Sequence, residues 1–441
     1  MNQLTGSKKY ERRAMQLPFG FRMGYHSSMI LKSQGTVAVI GQGYVGLPLA
    51  ISASKSGWNV IGIEILEFRV EKLNQGRSDI VTVDNKELCQ AIESGRYKAT
   101  SNFAEVAEAD VIVLCLPTPL NAQNEPDLGV LLSGVTAISP HIKEGALVIS
   151  ESTSFPGTLR DVIVKKVQLS SSNRNKEIHF AVAPERVNPG DKNWTLGNTP
   201  RIVGGISPTS RTKAIDFYET FCDQVVVADS PEEAEAAKIL ENSFRLLNIS
   251  FINEFSRICK VAKLDTNSVI ELAATKPYGF MPFWPGIGAG GHCIPVDPLY
   301  YTFWARELGQ VAELIEVSAR INSEIPIQVA KRAYQLLDSK IRKPKIFIIG
   351  LAYKSGTSDF RESPAIRIAE EVSRLGADVL WHDPMVTEWR GSACNEISED
   401  CDLIIYAVEQ TEIDLNEIVS KGKPVLNCTR VKFDSPLVHQ F

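Results

Sequence analysis

Short apolar runs alternate with helix-length segments over most of the chain. The runs are rich in Val and Ile, and each is followed by ten or more residues with helix-forming side chains. This alternation is typical of parallel sheets whose strands are joined by crossover helices. The predicted strands of the first domain are TVAVI from Thr36, NVIGIE from Asn59, VIVLCL from Val111, ALVISE from Ala146, IHFAVA from Ile178, RIVGG from Arg201 and VVVA from Val225.

The pattern changes at Pro231, after which about thirty residues follow without Gly or Pro. This composition predicts one long helix that begins at Pro231, with Ser230 or Asp229 as its N-cap. We expect its apolar face to be buried between domains and shared with a second subunit, because such a stripe is costly to leave in water. That face comprises Leu240, Phe244, Leu247 and Phe251.

The strand–helix alternation resumes near Lys345 and predicts a third domain. Its strands are KIFIIGLA from Lys345, DVLWHDP from Asp378, DLIIYAVE from Asp402 and PVLNCT from Pro424. The expected fold class is therefore α/β, with two Rossmann-like parallel-sheet domains joined by a long central helix. We expect a flexible extension over residues 1–33, a Rossmann domain over 34–228, a central helical domain over 229–335 and a C-terminal α/β domain over 336–441.

Composition and charge narrow the function classes. Of 441 residues, 47 are basic and 52 are acidic, which gives a net charge of −5, and 44% are hydrophobic. Such a chain is neither disordered nor collagen-like, and without a dense basic stripe we expect no nucleic-acid partner. No apolar run reaches the roughly 18 residues that a membrane span requires. The basic segment before residue 34 lacks a signal-peptide core, so we expect a flexible extension or an upstream start codon, with a transit peptide as the alternative.

Eight cysteines and six histidines are scattered along the chain. They form no C-x-x-C pair, no H-E-x-x-H motif and no comparable grouping. This distribution predicts reduced thiols in a cytoplasmic protein and no metal site.

A glycine motif, GQGYVG from Gly41, follows the first predicted strand and opens a helical segment. Gly41 permits a tight turn, Gly43 lets the backbone approach a pyrophosphate, and Gly46 permits close packing of helix on strand. Glu64 ends the next strand, where an acidic side chain binds the ribose of an adenosine. The pattern predicts NAD as cofactor, because a carboxylate there would repel the 2′-phosphate of NADP.

Loops after the later strands carry further candidates. Thr118 lies in LPTPL, Ser152 and Thr153 lie in ESTSFPGT, and Glu185 and Arg186 lie in APERVNPG. The carboxyl ends of strands in such sheets face the ligand crevice, so we expect these side chains to line it.

The segment that ends in GIGAGGHCIPVDP presents Cys293 on a glycine-rich backbone that can wrap a phosphate or a sugar. Asp297 and Pro298 are predicted as the N-cap and first residue of a new helix. A helix N-terminus and a nearby cation lower the pKa of a cysteine, so the setting predicts a catalytic thiolate at Cys293. A structural cysteine is the alternative.

Two sets of polar side chains remain. Lys238, Asn242 and Arg245 share one face of the long helix, at positions i, i+4 and i+7. Lys354 and Arg361 follow a strand of the third domain in LAYKSGTSDFRESPA, where two cations are suited to grip a phosphate. Solvated surface charge is the alternative for both sets.

Taken in order, these motifs resemble the family of UDP-glucose/GDP-mannose dehydrogenases, from about residue 34 to residue 430. Within the family, GGHCIPVDP and PERVNPG resemble the branch that acts on UDP-N-acetylhexosamines. The other branches more usually have Ser before the cysteine and Lys-Asp after the proline, where this chain has His292 and Val296. The motifs that carry the resemblance are GQGYVG, PTP, ESTSFPGT, PERVNPG, EAAKILENSFR, GGHCIPVDP and GLAYKSGTSDFRESPA.

The resemblance implies an NAD-dependent, four-electron oxidation of C6 of a UDP-N-acetylhexosamine, closest to UDP-N-acetylglucosamine. The implied product is a uronate for polysaccharide synthesis, formed through a thiohemiacetal and a thioester on Cys293, with Lys238 and Asn242 polarising the C6 oxygen. A cytoplasmic homodimer is also implied. The implied NAD contacts are Gly41, Gly43, Tyr44, Val45, Gly46, Glu64, Arg69, Thr118 and Thr153. The implied nucleotide-sugar contacts are Arg186, Val187, Lys238, Asn242, Arg245, Gly290, Tyr353, Lys354, Arg361 and Arg430.

The group that activates the hydrolytic water stays open. Some UDP-glucose enzymes have a second carboxylate where this chain has Pro189, so the role is shared among Glu185, Asp297 and Thr153. Alternatives for the substrate are UDP-glucose, UDP-N-acetylmannosamine and UDP-N-acetylgalactosamine. Two alternatives concern the function itself. A β-hydroxyacid-type dehydrogenase is disfavoured by the cysteine loop and the third domain. A non-catalytic nucleotide-binding module is disfavoured by the intact set of Cys293, Lys238 and Asn242.

Overall fold

A computed structural model describes residues 34–80, 82–187, 193–410 and 412–441. The predicted extension over 1–33 and the position of Pro189 lie outside the described residues. In the described part, a long helix joins two β-sheets that are flanked by helices. The predicted α/β class is confirmed.

The first sheet contains eight strands. They are β1 (Thr36–Ile40), β2 (Asn59–Ile63), β3 (Tyr97–Thr100), β4 (Val111–Leu114), β5 (Leu147–Ser150), β6 (His179–Val182), β7 (Arg201–Gly205) and β8 (Val225–Val227). Across the sheet their order is β3-β2-β1-β4-β5-β6-β7-β8. Strands β1 and β4 lie in the middle, which explains their continuous apolar sequences. Strand β3 was not predicted, because only two of its four residues are buried.

One end of this sheet differs from the prediction. Strand β7 runs antiparallel to β6, with Ala181 opposite Gly205, so the expectation of a wholly parallel sheet is wrong here. A parallel neighbour requires a long crossover, usually a helix. The described residues between β6 and β7 contain no helix.

Helices cover both faces of the first sheet and enclose two apolar cores. They are α1 (Gly46–Lys55), α2 (Glu67–Asn74), α3 (Asn85–Glu93), α4 (Gly129–Ile138), α5 (Lys165–Gln168) and α6 (Pro208–Tyr218). A π-helical turn, Thr158–Val164, leads directly into α5. Short 3₁₀ turns occur at Phe103–Glu108, Ser139–His141 and Ser171–Asn173.

Helix α7 (Pro231–Val261) begins as predicted, because the Ser230 hydroxyl caps it by accepting from the Glu233 N–H. Leu240, Phe244 and Phe251 of the predicted apolar face are exposed in the single chain and Leu247 is partly buried, while polar and small side chains face the protein. The expected contact of this face with a second subunit stays a prediction. The buried polar residues are Glu235, Lys238, Asn242, Ser243, Ser250, Asn253 and Ser256.

Three further helices surround α7, and a second sheet follows. The helices are α8 (Thr266–Ala274), α9 (Asp297–Glu307) and α10 (Glu313–Leu336). The second sheet has parallel strands β9 (Lys345–Ile349), β10 (Asp378–His382), β13 (Leu403–Tyr406), β14 (Val425–Asn427) and β15 (Val438–Gln440), in the order β10-β9-β13-β14-β15. A small hairpin pairs β11 (Glu388–Trp389) with β12 (Ser392–Ala393), and the remaining helices are α11 (Pro364–Arg374) and α12 (Leu415–Ser420). Strands β11, β12 and β15 were not predicted.

None of the helices in the described residues combines the length and apolar character needed to traverse a bilayer. All eight cysteines are unpaired.

Candidate active site

The glycine-rich loop joins β1 to α1 at the carboxyl edge of the first sheet. Gly41 has a φ of +93°, and a Cβ atom there would lie 2.6 Å from the carbonyl oxygen of Cys115. A Cβ atom at Gly46 would collide with the Gly41 carbonyl oxygen, so only glycine lets the helix start this close to the strand. Around Gly43 no atom of the described residues approaches a built Cβ within 4 Å. The helix N-terminus, with Val45 as N-cap, therefore faces open space.

Glu64 ends β2 beside this loop. Its buried carboxylate accepts hydrogen bonds from the N–H groups of Gln42 at 3.3 Å and Leu66 at 3.2 Å. Arg69 lies 3.9 Å from Glu64 and pairs with Asp79 at 2.8 Å. The acidic group is thus held at the strand end, where a dinucleotide ribose binds in this type of sheet. Sequence analysis missed Gln42, whose position inside the glycine motif was its signal.

Two more predicted NAD contacts connect this edge to other loops. The Thr118 hydroxyl donates to the Thr153 carbonyl oxygen at 2.8 Å, which joins the loops after β4 and β5. The Arg361 guanidinium stacks on the Tyr44 ring at 5.0 Å and is held by hydrogen bonds to Asp359. Arg361, expected from the resemblance to contact the nucleotide sugar, therefore lies against the cofactor loop.

Cys293 lies in the turn that leads into α9. The residue is exposed, and its carbonyl oxygen accepts from the N–H groups of Val296 at 3.2 Å and Asp297 at 2.8 Å. Helix α9 begins at Asp297 with Val296 as its N-cap, so the prediction that Asp297 is the N-cap is wrong by one residue. The Asp297 carboxylate is instead directed to α7, where the Asn242 amide donates to Oδ2 at 2.5 Å.

Asp297 is buried, at 2% exposure. Burial raises its pKa to about 6, against the lowering effects of the Lys238 charge and of hydrogen bonds from Asn242 and Thr153. A carboxyl group with this pKa is ionised at neutral pH and is suited to accept a proton.

Lys238 is the buried cation of the site, at 6% exposure. Burial acts to lower its pKa, but Cys293, Asp297, Glu185 and Glu241 together raise it. The amine is therefore charged at neutral pH. A desolvated cation in this place can stabilise negative charge on a substrate oxygen or on sulfur.

The electrostatic surroundings of Cys293 favour the protonated thiol. The residue is exposed, yet desolvation by the surrounding protein and the charge of Asp297 raise its pKa to about 12. The Lys238 charge lowers this pKa, as expected, but does not outweigh the other two effects. The catalytic thiolate at Cys293 stays a prediction, and it requires that the thiol lose its proton during reaction.

Glu185 and Arg186 follow β6. Glu185 accepts from the Val187 N–H at 2.5 Å. Arg186 forms an ion pair with Glu241 of α7 at 2.6 Å and donates to the Pro200 carbonyl oxygen at 2.7 Å. These contacts attach the loop to α7 on the side where Lys238 is buried.

Sequence analysis missed two buried carboxylates near these loops. Glu151 lies 3.4 Å from Arg201 and accepts from the Tyr218 hydroxyl at 2.5 Å, and burial raises its pKa to about 7. Glu235 precedes Lys238 by one helical turn. The i, i+3 spacing on α7 was a usable signal for Glu235, and the strand-end position was one for Glu151.

The second sheet contributes a loop that packs on the cysteine loop. A Cβ atom at Gly291, where φ is +81°, would lie 2.8 Å from the Tyr353 ring, and one at Gly290 would lie 3.1 Å from Tyr353 Cβ. Lys354 lies over the same ring at 5.6 Å. Arg245 is exposed on α7, and its charge acts on the Tyr353 hydroxyl against the effect of burial, which raises the pKa of that group.

Arg430 belongs to a separate group of residues. Its guanidinium stacks on Trp284 at 3.5 Å, and it lines a cavity with Asn253, Lys260 and Gly286. Arg430 therefore lies at the C-terminal half of α7, apart from the predicted nucleotide-sugar contacts around Tyr353.

The first-sheet edge fits a dinucleotide, because an open glycine turn, a helix N-terminus and a fixed carboxylate occur together there. A cysteine, a buried cation and a proton-accepting carboxylate lie in the adjoining cleft. This combination defines an NAD-dependent oxidoreductase.

The chain belongs to the UDP-glucose/GDP-mannose dehydrogenase family. The NAD binding domain of the family matches residues 35–222, its central domain matches residues 232–324, and its UDP binding domain matches residues 347–434. The protein is an NAD-dependent UDP-sugar 6-dehydrogenase.

Characterised relatives differ in the sugar that their names give. A UDP-N-acetyl-D-mannosamine dehydrogenase of Pyrococcus horikoshii is 33% identical over 392 residues, which cover 88% of this chain and 92% of the relative. A UDP-N-acetyl-D-glucosamine 6-dehydrogenase of Pseudomonas aeruginosa is 34% identical over 359 residues, which cover 80% and 83%. The structure of a UDP-glucose dehydrogenase from Pyrobaculum islandicum matches with a TM-score of 0.83 at 26% identity, over 92% of this chain and 97% of its own.

Proposed function

We propose that the protein oxidises C6 of UDP-N-acetyl-D-glucosamine to the uronate, with Cys293 as the covalent nucleophile. The observation that carries the proposal is the cluster of Cys293, Lys238, Asn242 and Asp297 beside the glycine-rich loop. NAD, when bound, supplies the acceptor for the hydride of each oxidation. A thiol in the cleft explains how one site oxidises twice without releasing the aldehyde.

The first oxidation removes the proton of the C6 hydroxyl. Asp297 accepts it, since this carboxyl group has a pKa of about 6 and is ionised at neutral pH. Lys238 stabilises the negative charge that develops on the oxygen. Asn242 acts by holding the Asp297 carboxylate through its bond to Oδ2.

The Cys293 thiol then adds to the aldehyde. A C–S bond forms, the S–H bond breaks, and the proton ends on the former carbonyl oxygen, which gives a thiohemiacetal. The charge of Lys238 lowers the pKa of the thiol and thereby assists this step. Asp297 passes its first proton to solvent, and loss of a second hydride, with release of the hydroxyl proton to solvent, leaves a thioester on Cys293.

Hydrolysis completes the reaction. A water oxygen attacks the thioester carbon, Asp297 takes the proton of the water, the C–S bond breaks, and the carboxylic acid leaves as the sulfur recovers its electrons. We assign this base role to Asp297 ahead of Glu185, because the Asn242 amide fixes the Asp297 carboxylate and Thr153 lies close enough to lower its pKa. Thr153 is suited to orient the water.

The choice of UDP-N-acetyl-D-glucosamine as the substrate rests on a sequence motif and on a relative. The GGHCIPVDP motif around Cys293 resembles the N-acetylhexosamine branch, and the Pseudomonas relative is named for UDP-N-acetyl-D-glucosamine. UDP-N-acetyl-D-mannosamine is the second candidate, since the Pyrococcus relative is named for it at nearly the same identity.

The test is NADH production with UDP-N-acetylglucosamine, UDP-N-acetylmannosamine, UDP-N-acetylgalactosamine and UDP-glucose, with the mass of each product recorded. We expect UDP-N-acetylglucosamine to be preferred, with two NADH formed per molecule and a product that carries a carboxylate. If another UDP-sugar is preferred, the proposed reaction stands and the proposed substrate is wrong. No turnover on any of them would favour a nucleotide-binding module instead.

We propose that a second copy of the chain covers the exposed apolar residues of α7, which are Leu240, Phe244, Phe251 and Ile258. Leu240, Phe251 and Ile258 are 69%, 56% and 61% exposed. Large side chains aligned on one helix are costly to leave in water, and a twofold partner presents the same stripe in return.

Replacing Phe251 and Ile258 together with Glu is expected to give monomers in light scattering, because a charge on each side of the interface opposes association. The matched control is Leu169→Glu, which changes a residue that is 76% exposed on the first-sheet domain and should leave a dimer. A monomeric wild-type protein, or a double variant that stays dimeric, would contradict this arrangement.

A further inference from the structure

Glu235 is a buried carboxylate that the proposed reaction does not use. It lies on the inner face of α7, three residues before Lys238 and seven before Asn242, so all three share one face. It is 2% exposed. A buried carboxylate needs several donors to offset its lost hydration.

All the donors come from one segment. Glu235 Oε2 accepts from the Gly157 N–H at 2.7 Å, and Oε1 accepts from the Leu159 N–H at 2.9 Å and the Ser154 hydroxyl at 3.2 Å. These two N–H groups stand at the beginning of the π-helical turn Thr158–Val164, where a helical segment has unpaired donors.

This cap comes from a distant element. The residue before the turn is Gly157, which has no side chain and adopts a left-handed φ of +97°. A helical segment is ordinarily capped by the residue that precedes it. Here the cap is supplied by α7, from a residue 78 positions away from Gly157.

The capped segment follows the loop that carries Thr153. Thr153 lies close enough to Asp297 to lower the pKa of its carboxyl group, and Asp297 accepts from Asn242 on α7. Glu235 and Asp297 are therefore connected along two routes: through the 153–157 loop, which carries Thr153 to the Asp297 carboxyl group, and along α7, where Asn242 is bonded to Asp297. The position of the 153–157 loop thus determines how closely Thr153 approaches Asp297.

We propose that Glu235 is a positioning residue for the hydrolytic step: by capping the segment after the 153–157 loop from α7, it holds Thr153 against Asp297. The inference rests on the proposed function, because it assigns Glu235 to the group that activates the water. Glu235 itself touches neither the substrate nor the reacting sulfur.

The test is Glu235→Gln in the full chain. The amide of glutamine turns a donor toward one of the N–H groups, so at least one backbone hydrogen bond is lost. We expect kcat for uronate formation to fall about 10- to 100-fold, since small displacements of a catalytic group have effects of this size. The value of kcat/KM for the UDP-sugar and for NAD should stay within about twofold, because the steps before hydrolysis are unchanged, and KM should fall together with kcat.

A merely structural role would not cause an intermediate to accumulate. During turnover, intact-protein mass spectrometry of Glu235→Gln should find an acyl adduct on Cys293, because hydrolysis has become the slow step. The matched control is Glu232→Gln, one turn earlier on the same helix, where the carboxylate pairs with Arg160 at 2.7 Å on the surface. This variant should show wild-type kcat and no adduct.

Ser154→Ala provides a milder variant, because it removes one hydrogen bond to Glu235 and leaves both backbone bonds. We expect a few-fold lower kcat with the same adduct, and this variant decides the question if Glu235→Gln does not fold. A folded Glu235→Gln protein with wild-type kcat, or a loss of activity without the adduct, would overturn the inference alone. Absence of turnover in the wild-type protein would overturn the proposed function and this inference with it.

Discussion

Replacing Cys293 with alanine is expected to lower uronate formation by at least about 10⁴-fold. Without the thiol no thiohemiacetal forms, so the second oxidation loses its covalent substrate. The side chain is exposed to the cleft, and its truncation leaves no void in a packed core. Binding of NAD and of the UDP-sugar, measured by calorimetric titration, should therefore change by less than about twofold.

Product mass identifies where Cys293→Ala stops. With hydroxylamine present, we expect the trapped C6 aldehyde and no carboxylate. Cys89→Ala is the matched control, because Cys89 lies on α3 and contacts the Gly76 carbonyl oxygen, away from the cleft. Uronate formation at the wild-type rate by Cys293→Ala would exclude the covalent mechanism.

Features that depend on neighbouring residues in the sequence could be predicted. The turn of GQGYVG requires glycine at Gly41 and Gly46 for reasons of local geometry, and the structure has the strand, turn and helix in the predicted order. The start of α7, with Ser230 or Asp229 as its N-cap, was predicted from the residues around Pro231, because capping is a local interaction.

Features that depend on tertiary contacts could not be predicted from the sequence. Asp297 was placed as a helix cap from its position before Pro298, but its carboxylate is bonded to Asn242, 55 residues away. Asn242 and Glu235 lie on the buried side of α7 because loops of the first domain and α9 supply their partners. The apolar spacing of the helix indicated the face expected to meet a second subunit, but it could not indicate which polar side chains on the opposite side are buried.

The pKa of the Cys293 thiol also depends on tertiary contacts. A lysine and a helix N-terminus near Cys293 predict a lowered pKa, and the Lys238 charge does act in that direction. The desolvation of the cleft and the buried Asp297 carboxylate act more strongly in the other direction. Neither effect can be read from a local motif, because both depend on which segments meet in the fold.

Replacing Lys238 with methionine is expected to lower kcat by about 10²- to 10³-fold, the usual cost of losing a charged group that stabilises a developing oxyanion. It should also move the pH dependence of the remaining activity. In the wild-type protein the Lys238 charge lowers the pKa of Asp297, which burial nonetheless raises to about 6. Without that charge the pKa of Asp297 rises further, so a higher pH is needed to ionise the base.

The acid limb of the kcat profile should therefore have its midpoint near pH 6 in the wild-type protein and at a higher pH in Lys238→Met. The measurement is kcat between pH 5 and pH 9 at saturating substrate, with folding checked by circular dichroism at each pH. Lys238→Arg is the matched control, because it keeps the positive charge beside Asp297 and should keep the wild-type acid limb even if its bulk lowers kcat. The prediction would be contradicted if the acid limb of Lys238→Met kept its wild-type midpoint, or if the acid limb of Lys238→Arg moved as far as that of Lys238→Met. Either result would mean that a group other than Asp297 is the base.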